Sequence, residues 1–173
     1  MSKQNIKNLP TSIQDRLLNK ARGSDRPFNE VLQYFAIERF LYRLAQSQHA
    51  REFVLKGALL FRVWGLLAFR PTRDIDLLGN TDNEVDNLIN IIREVCKGNV
   101  QNDGMFFDPE TVIGERIKED ADYEGVRIRF VGLLGTMRVH LQIDVGFADA
   151  VSPKPVKIKY PVILPFPEPE LRS

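Results

Sequence analysis

The sequence predicts an α+β fold, a mixed or antiparallel sheet packed by N-terminal and inter-strand helices. Three observations carry this. Apolar residues recur at helical spacing as far as Leu44, and a strand, turn, helix, strand unit then occupies residues 53–78. A further helical stripe precedes Gly98, after which period-two alternation takes over. No internal repeat or low-complexity tract interrupts this order.

In the first helix, Thr11 and Ser12 follow Pro10 as candidate N-caps, Ile13, Leu17, Leu18 and Ala21 share one side, and Gly23 is the expected stop. A second helix starts near Pro27. Its stripe of Phe28, Val31, Leu32, Phe35, Phe40, Leu41 and Leu44 faces the sheet, with Glu30, Glu38, Arg39 and Arg43 assigned to other faces. Residues 53–57 read as strand and turn, 58–64 as a short apolar helix, and 73–78 as a strand. Thr81 and Glu84 stand at capping-box spacing before a helix to about Lys97 whose apolar face is Val85, Leu88, Ile89, Ile92 and Val95. Strands are expected at 111–117, 125–133 and 139–147, the last two joined by a turn at Leu134-Gly135-Thr136. Pro153, Pro155, Pro161, Pro165, Pro167 and Pro169 exclude a long helix thereafter. Residues 1–152 are therefore expected to form the core with its N-terminal helices, and 153–173 an extended arm or a linker to a further region.

Composition narrows the class. The 173 residues carry 24 basic and 23 acidic side chains, a formal charge of +1, so no whole-molecule field draws the chain to nucleic acid or to a membrane. Cys96 is the single cysteine, which excludes an internal disulfide framework. No uncharged stretch approaches the roughly 20 residues of a membrane span, and no apolar leader follows Met1-Ser2-Lys3. The expected location is cytoplasmic.

Chemistry concentrates in three places. In Arg73-Asp74-Ile75-Asp76-Leu77-Leu78 the two carboxylates are two positions apart, so on a strand they share a face while Ile75 and Leu77 point into the packed side. Adjacent like charges need a cation, and a hard divalent ion such as Mg²⁺ suits them; a solvated strand end is the alternative. Asp144 falls on the polar side of the alternating run Val139 to Phe147, a place for a carboxylate that lines a cleft or an outer sheet face. Lys56-Gly57-Ala58 forms a small-residue junction of strand and helix, where backbone N–H groups can meet phosphate, or a simple turn. Two histidines and one cysteine make no zinc set, and no Gly-x-Ser-x-Gly elbow is present. Lys154, Lys157, Lys159, Arg127, Arg129 and Arg138 could meet RNA phosphates, with solvated strand edges the favoured account; Trp64 and Cys96 are read as core.

The order strand, Gly-small turn, helix, Asp-x-Asp strand, later Asp resembles the polymerase β-like nucleotidyltransferase superfamily. A closer resemblance is to the AbiEii/AbiGii-type toxin nucleotidyltransferases. It is carried by Arg26-Pro27-Phe28-Asn29-Glu30, Val54-Leu55-Lys56-Gly57-Ala58-Leu59-Leu60, Arg70-Pro71-Thr72-Arg73-Asp74-Ile75-Asp76-Leu77-Leu78, Asp122-Tyr123-Glu124-Gly125-Val126-Arg127 and Leu141-Gln142-Ile143-Asp144-Val145-Gly146-Phe147. Ala58 departs from the Ser or second Gly of many members, which removes a hydroxyl contact to phosphate. Family proteins continue past the proline-rich stretch into a helical region with Lys and Asp motifs, so the chain looks like the N-terminal catalytic core of such a protein.

The resemblance implies an enzyme moving a nucleoside monophosphate from an NTP to an acceptor such as tRNA, within a bacterial toxin–antitoxin or phage-defence system with a cognate antitoxin. Asp74, Asp76 and Asp144 would be the catalytic and metal-binding carboxylates, holding two Mg²⁺ ions. Lys56, Gly57, Ala58, Thr72 and Arg73 would bind the nucleotide. The alternative is a catalytically silent nucleotidyltransferase-like module that binds or regulates a partner in this 173-residue form.

Overall fold

The computed structural model describes residues 9–63, 72–120, 123–147 and 154–173. Helices α1 (Leu9–Ser24) and α2 (Phe28–Gln46) and a 3₁₀ turn (Ala50–Glu52) lead into β1 (Phe53–Lys56), α3 (Leu60–Val63) and β2 (Asp74–Gly79). Helix α4 (Val85–Cys96) is followed by β3 (Met105–Asp120), β4 (Tyr123–Leu134), β5 (Met137–Phe147), β6 (Lys157–Lys159) and β7 (Glu170–Arg172). The main sheet has the order β1-β2-β5-β4-β3, and β6 pairs with β7 separately. Strand β2 runs parallel to β5 while every other pair in the sheet is antiparallel, which makes the sheet mixed.

Local signals account for most of these elements, and where they differ from the sequence reading the reason is visible. Helix α1 already includes Leu9 and Pro10, so Thr11 and Ser12 lie inside it instead of capping it. It runs through Gly23 and ends where Asp25 takes a left-handed φ of 56°, a conformation Asp tolerates better than most residues. Helix α4 starts at Val85, with Glu84 in the N-cap position and no side-chain cap bond. The expected capping box is replaced by an Asx turn, in which Asp82 Oδ1 accepts from the Glu84 N–H at 3.0 Å. The hairpin turn falls at Gly135 and Thr136, with Gly135 at φ 61°. Strand β3 is longer than its alternating segment because it pairs with β4 on both sides of a bulge between Asp108 and Ile113. Trp64 lies outside the described residues. Cys96 is buried, and burial pushes its thiol up to about 12.

One face of the sheet is apolar. Phe53, Leu55, Ile75, Leu77, Val126, Ile128, Ile143 and Val145 are all buried, packed with α2 and α4 in a single core. Phe40, Phe107 and Phe130 form an aromatic centre, Phe40 lying 5.6 Å from Phe107 and 4.8 Å from Phe130 between ring centroids. Each such side chain stabilises the fold by roughly 1.5–3 kcal/mol through area removed from water.

Helix α2 is enclosed on more sides than its apolar stripe implies. Glu38, Arg39 and Arg43, expected on outer faces, are buried. The segment 154–173 explains two of them: the Ile163 N–H donates to Glu38 at 2.7 Å, and Arg39 donates to the Pro167 carbonyl at 2.8 Å. Tyr160, Leu164 and Leu171 of that segment join the same core. Arg43 is claimed from another side by Asp103, with N···O distances of 2.8 and 2.9 Å.

Candidate active site

Because side chains alternate along a strand, burying Ile75, Leu77, Ile143 and Val145 forces Asp74, Asp76, Gln142 and Asp144 onto the opposite face. The pairing then aligns them. Lys56 stands opposite Asp76, Asp76 beside Asp144, and Asp144 opposite Arg127, with Glu115 beyond Arg127 on β3. Four strands thus present a row of charges, Lys56, Asp76, Asp144 and Arg127, at the roughly 4.8 Å spacing of neighbouring strands. The adjacent row holds Asp74, Gln142 and Arg129.

Gly57 follows Lys56 at φ 80°, in the left-handed region, and any Cβ there would collide with Asp76 Oδ2. The glycine is required twice, by its backbone and by the carboxylate lying against it. Ala58 is half-buried beside it, and the carbonyls of Gly57 and Ala58 accept from the N–H groups of Leu60 and Phe61 at 3.2 and 3.1 Å.

Arg127 is the residue that sequence reasoning placed elsewhere, as a solvated strand edge or an RNA contact. Its Nε donates to Asp144 Oδ1 at 2.8 Å and its Nη2 to Asp144 Oδ2 at 3.0 Å, a bidentate pair. Hydrogen bonding to Asp144 holds the Arg127 guanidinium above its ordinary range, against the opposing effect of burial. Asp144 itself is only 8% exposed, which is affordable for a carboxylate because the fork satisfies it. Reflecting the hairpin about the Gly135-Thr136 turn was the available signal, since it places Arg127 opposite Asp144.

Thr72 and Arg73 lie ahead of β2, apart from the Lys56 row. The Thr72 N–H donates to the Tyr34 hydroxyl at 3.1 Å, and Arg73 is exposed. With Asp74 they border a groove of about 890 Å³ between the start of α2 and strands β4 and β5, to which Arg129, Arg138, His140 and Gln142 also contribute. Asp76 and Asp144 do not line it. Arg129 bonds to Glu115 and Gln142, both at 3.2 Å.

Neighbouring carboxylates with hard oxygen donors suit Mg²⁺ by donor chemistry, and Gly57 lets the Asp76 carboxylate lie against the backbone there. Among the described residues no three His, Cys, Asp or Glu side chains are grouped as a formed metal centre. Each oxygen of Asp144 accepts one hydrogen bond from Arg127, so a metal shared with Asp76 would meet the guanidinium beside its carboxylate ligand.

The family described as nucleotidyl transferase AbiEii toxin, Type IV TA system, matches residues 39–172. No curated protein matches the chain. Among solved structures, JHP933 from Helicobacter pylori is 19% identical, aligned over 66% of this chain and 43% of its own, with a TM-score of 0.38. An H. pylori protein described provisionally as a nucleotidyltransferase is 14% identical over 88% of this chain and 49% of its own, also with a TM-score of 0.38. The chain spans less than half the length of either structure. The family match runs from Arg39 in α2 to Arg172 in β7 and takes in every strand of the sheet, and the chain belongs to the AbiEii nucleotidyl transferase toxin family.

Proposed function

We propose that this chain carries the nucleotidyl-transfer site of a toxin that moves a nucleoside monophosphate from an NTP to an acceptor hydroxyl, with pyrophosphate leaving. The observation that carries the reading is the placement of Asp76 directly beside Asp144, with Asp74 on the same face. Asp74, Asp76 and Asp144 would hold two Mg²⁺ ions. Once bound, these ions would supply charge neutralisation for the triphosphate in an in-line displacement. Lys56, next to Asp76 in the row, would hold a phosphate oxygen, and the side-chain-free Gly57 would let the phosphates approach the backbone. Asp144 Oδ1 or Oδ2 would take the proton of the acceptor hydroxyl. Thr72 and Arg73 would steady the nucleotide from the Asp74 end.

The acceptor in this reading is an RNA 3′ end such as that of tRNA. The groove beside Asp74, with Arg129, Arg138 and His140 on its walls, would receive it. A cognate antitoxin, a role in phage defence and a cytoplasmic setting complete the proposal; no helix among the described residues is long and apolar enough to cross a membrane. The test is transfer of radioactive label from each NTP with Mg²⁺ to total tRNA. Labelled RNA is expected, falling by about 100-fold or more in Asp76→Asn and Asp144→Asn variants that still melt cooperatively. Label incorporation that survives both substitutions would refute the assignment, and no transfer with any NTP would favour the silent binding module.

A further inference from the structure

The charges of the row sum to zero before any ligand arrives. Lys56 and Arg127 flank Asp76 and Asp144 on successive strands, two cations around two anions. The outer pair is firmly made: Arg127 engages both oxygens of Asp144 while its side chain keeps 30% of its surface exposed. Glu115 beyond it is occupied with Arg129. A free divalent ion approaching Asp74, Asp76 and Asp144 meets three carboxylates largely offset by two cations, one of them a guanidinium bonded to both oxygens of Asp144. A triphosphate approaching alone meets the three carboxylates. Together the two ligands match the row, anionic phosphates against the flanking cations and metal against the central carboxylates.

We propose that Arg127 is a charge-exchange residue that holds Asp144 in the unliganded protein and passes its fork to a phosphate oxygen when a divalent cation and a triphosphate bind together. This rests on the nucleotidyl-transfer reading and adds an order to it: metal and nucleotide bind with strong positive coupling. Arg127 is a positioning residue for Asp144 before binding and a phosphate ligand after it. A purely structural arginine would not change the thermodynamic coupling between two small ligands.

The experiment measures Mn²⁺ binding by the whole chain, by electron paramagnetic resonance, with and without α,β-methylene analogues of the four NTPs. The parent is expected to bind Mn²⁺ weakly alone and about tenfold or more tighter with the accepted analogue. Arg127→Gln should bind Mn²⁺ alone about tenfold tighter than the parent, because a competing cation is removed, and its coupling to the analogue, after subtraction of the Mn²⁺ that the analogue holds in solution, should fall well below the parent's. Arg127→Lys keeps the charge without the fork and should fall between the two, which serves if the glutamine variant does not fold. Arg127→Gln or Arg127→Lys with the parent's affinities and coupling would overturn the role of Arg127 while leaving the site standing, provided Asp76→Asn abolishes the binding. Absence of Mn²⁺ binding by the parent under every condition would overturn the site itself.

Discussion

Two arginine–aspartate pairs in this molecule share a chemistry and differ in everything around them. Arg43 and Asp103 are joined by two bonds of 2.8 and 2.9 Å, much as Arg127 and Asp144 are joined at 2.8 and 3.0 Å. Arg43 also donates to the carbonyls of Arg39 and Met105, and the Met105 N–H donates back to Asp103, so the polar groups form a closed network. The guanidinium lies 4.8 Å from the Phe107 ring centroid, and the side chains are 7% and 2% exposed. Arg127 keeps 30% of its surface, and its aspartate stands beside a second carboxylate on the next strand. The first pair is sealed into the core and ties α2 to the start of β3. The second is an ion pair that solvent and ligands can reach, on the face where the charged residues gather.

That contrast predicts unequal costs. Arg43→Ala strands the Asp103 carboxylate in the core and should lower the free energy of unfolding by about 3–5 kcal/mol, read from urea titration. Asp144→Asn should cost no more than about 1 kcal/mol, because relief of repulsion with Asp76 offsets the weakened Arg127 bond. Equal losses at the two sites would erase the distinction between a sealed and an exchangeable pair.

A smaller effect sharpens the same comparison with a third ion pair. His49 bridges Glu52 at 2.5 Å and Glu94 at 2.6 Å, joining the turn before β1 to α4. Burial works against its charge, but hydrogen bonds to Glu94 and Glu52 outweigh burial and raise its pKa above 6.5. A raised histidine pKa means that the folded state binds the proton more tightly. Its contribution is therefore full below pH 6.5 and is lost as pH rises through the folded value. The melting temperature of the parent should fall modestly over that rise, and His49→Gln should flatten this part of the profile. An unchanged profile in the variant would remove His49 as the cause.

What could be read from the sequence divides along the range of the interactions. Asp74 and Asp76 on one strand face, and Asp144 on the polar side of its strand, follow from period two alone, since Ile75, Leu77, Ile143 and Val145 demand burial. Adjacency of Asp76 and Asp144 does not, because it depends on β5 inserting in parallel between β2 and β4, a pairing between segments far apart in the chain. Arg127 was within reach through the hairpin register, and its assignment to a solvated edge overlooked the carboxylate opposite. Glu38, Arg39 and Arg43 look like surface residues in a helical pattern; only the packing of residues 154–173 and of Asp103 against α2 buries them. The last turn of α1 and the first turn of α4 moved because Asp25 and the Asp82 turn competed with the expected stop and cap.

The most direct measurement is anomalous diffraction from crystals soaked with Mn²⁺ and the α,β-methylene NTP analogues. The account predicts an anomalous peak shared by Asp76 and Asp144 at about 2.2 Å from their oxygens. It also predicts that Arg127 has turned from Asp144 to a phosphate oxygen, while Arg43 and Asp103 are unmoved. A nucleotide bound with the Arg127–Asp144 fork intact and no metal between Asp76 and Asp144 would contradict it.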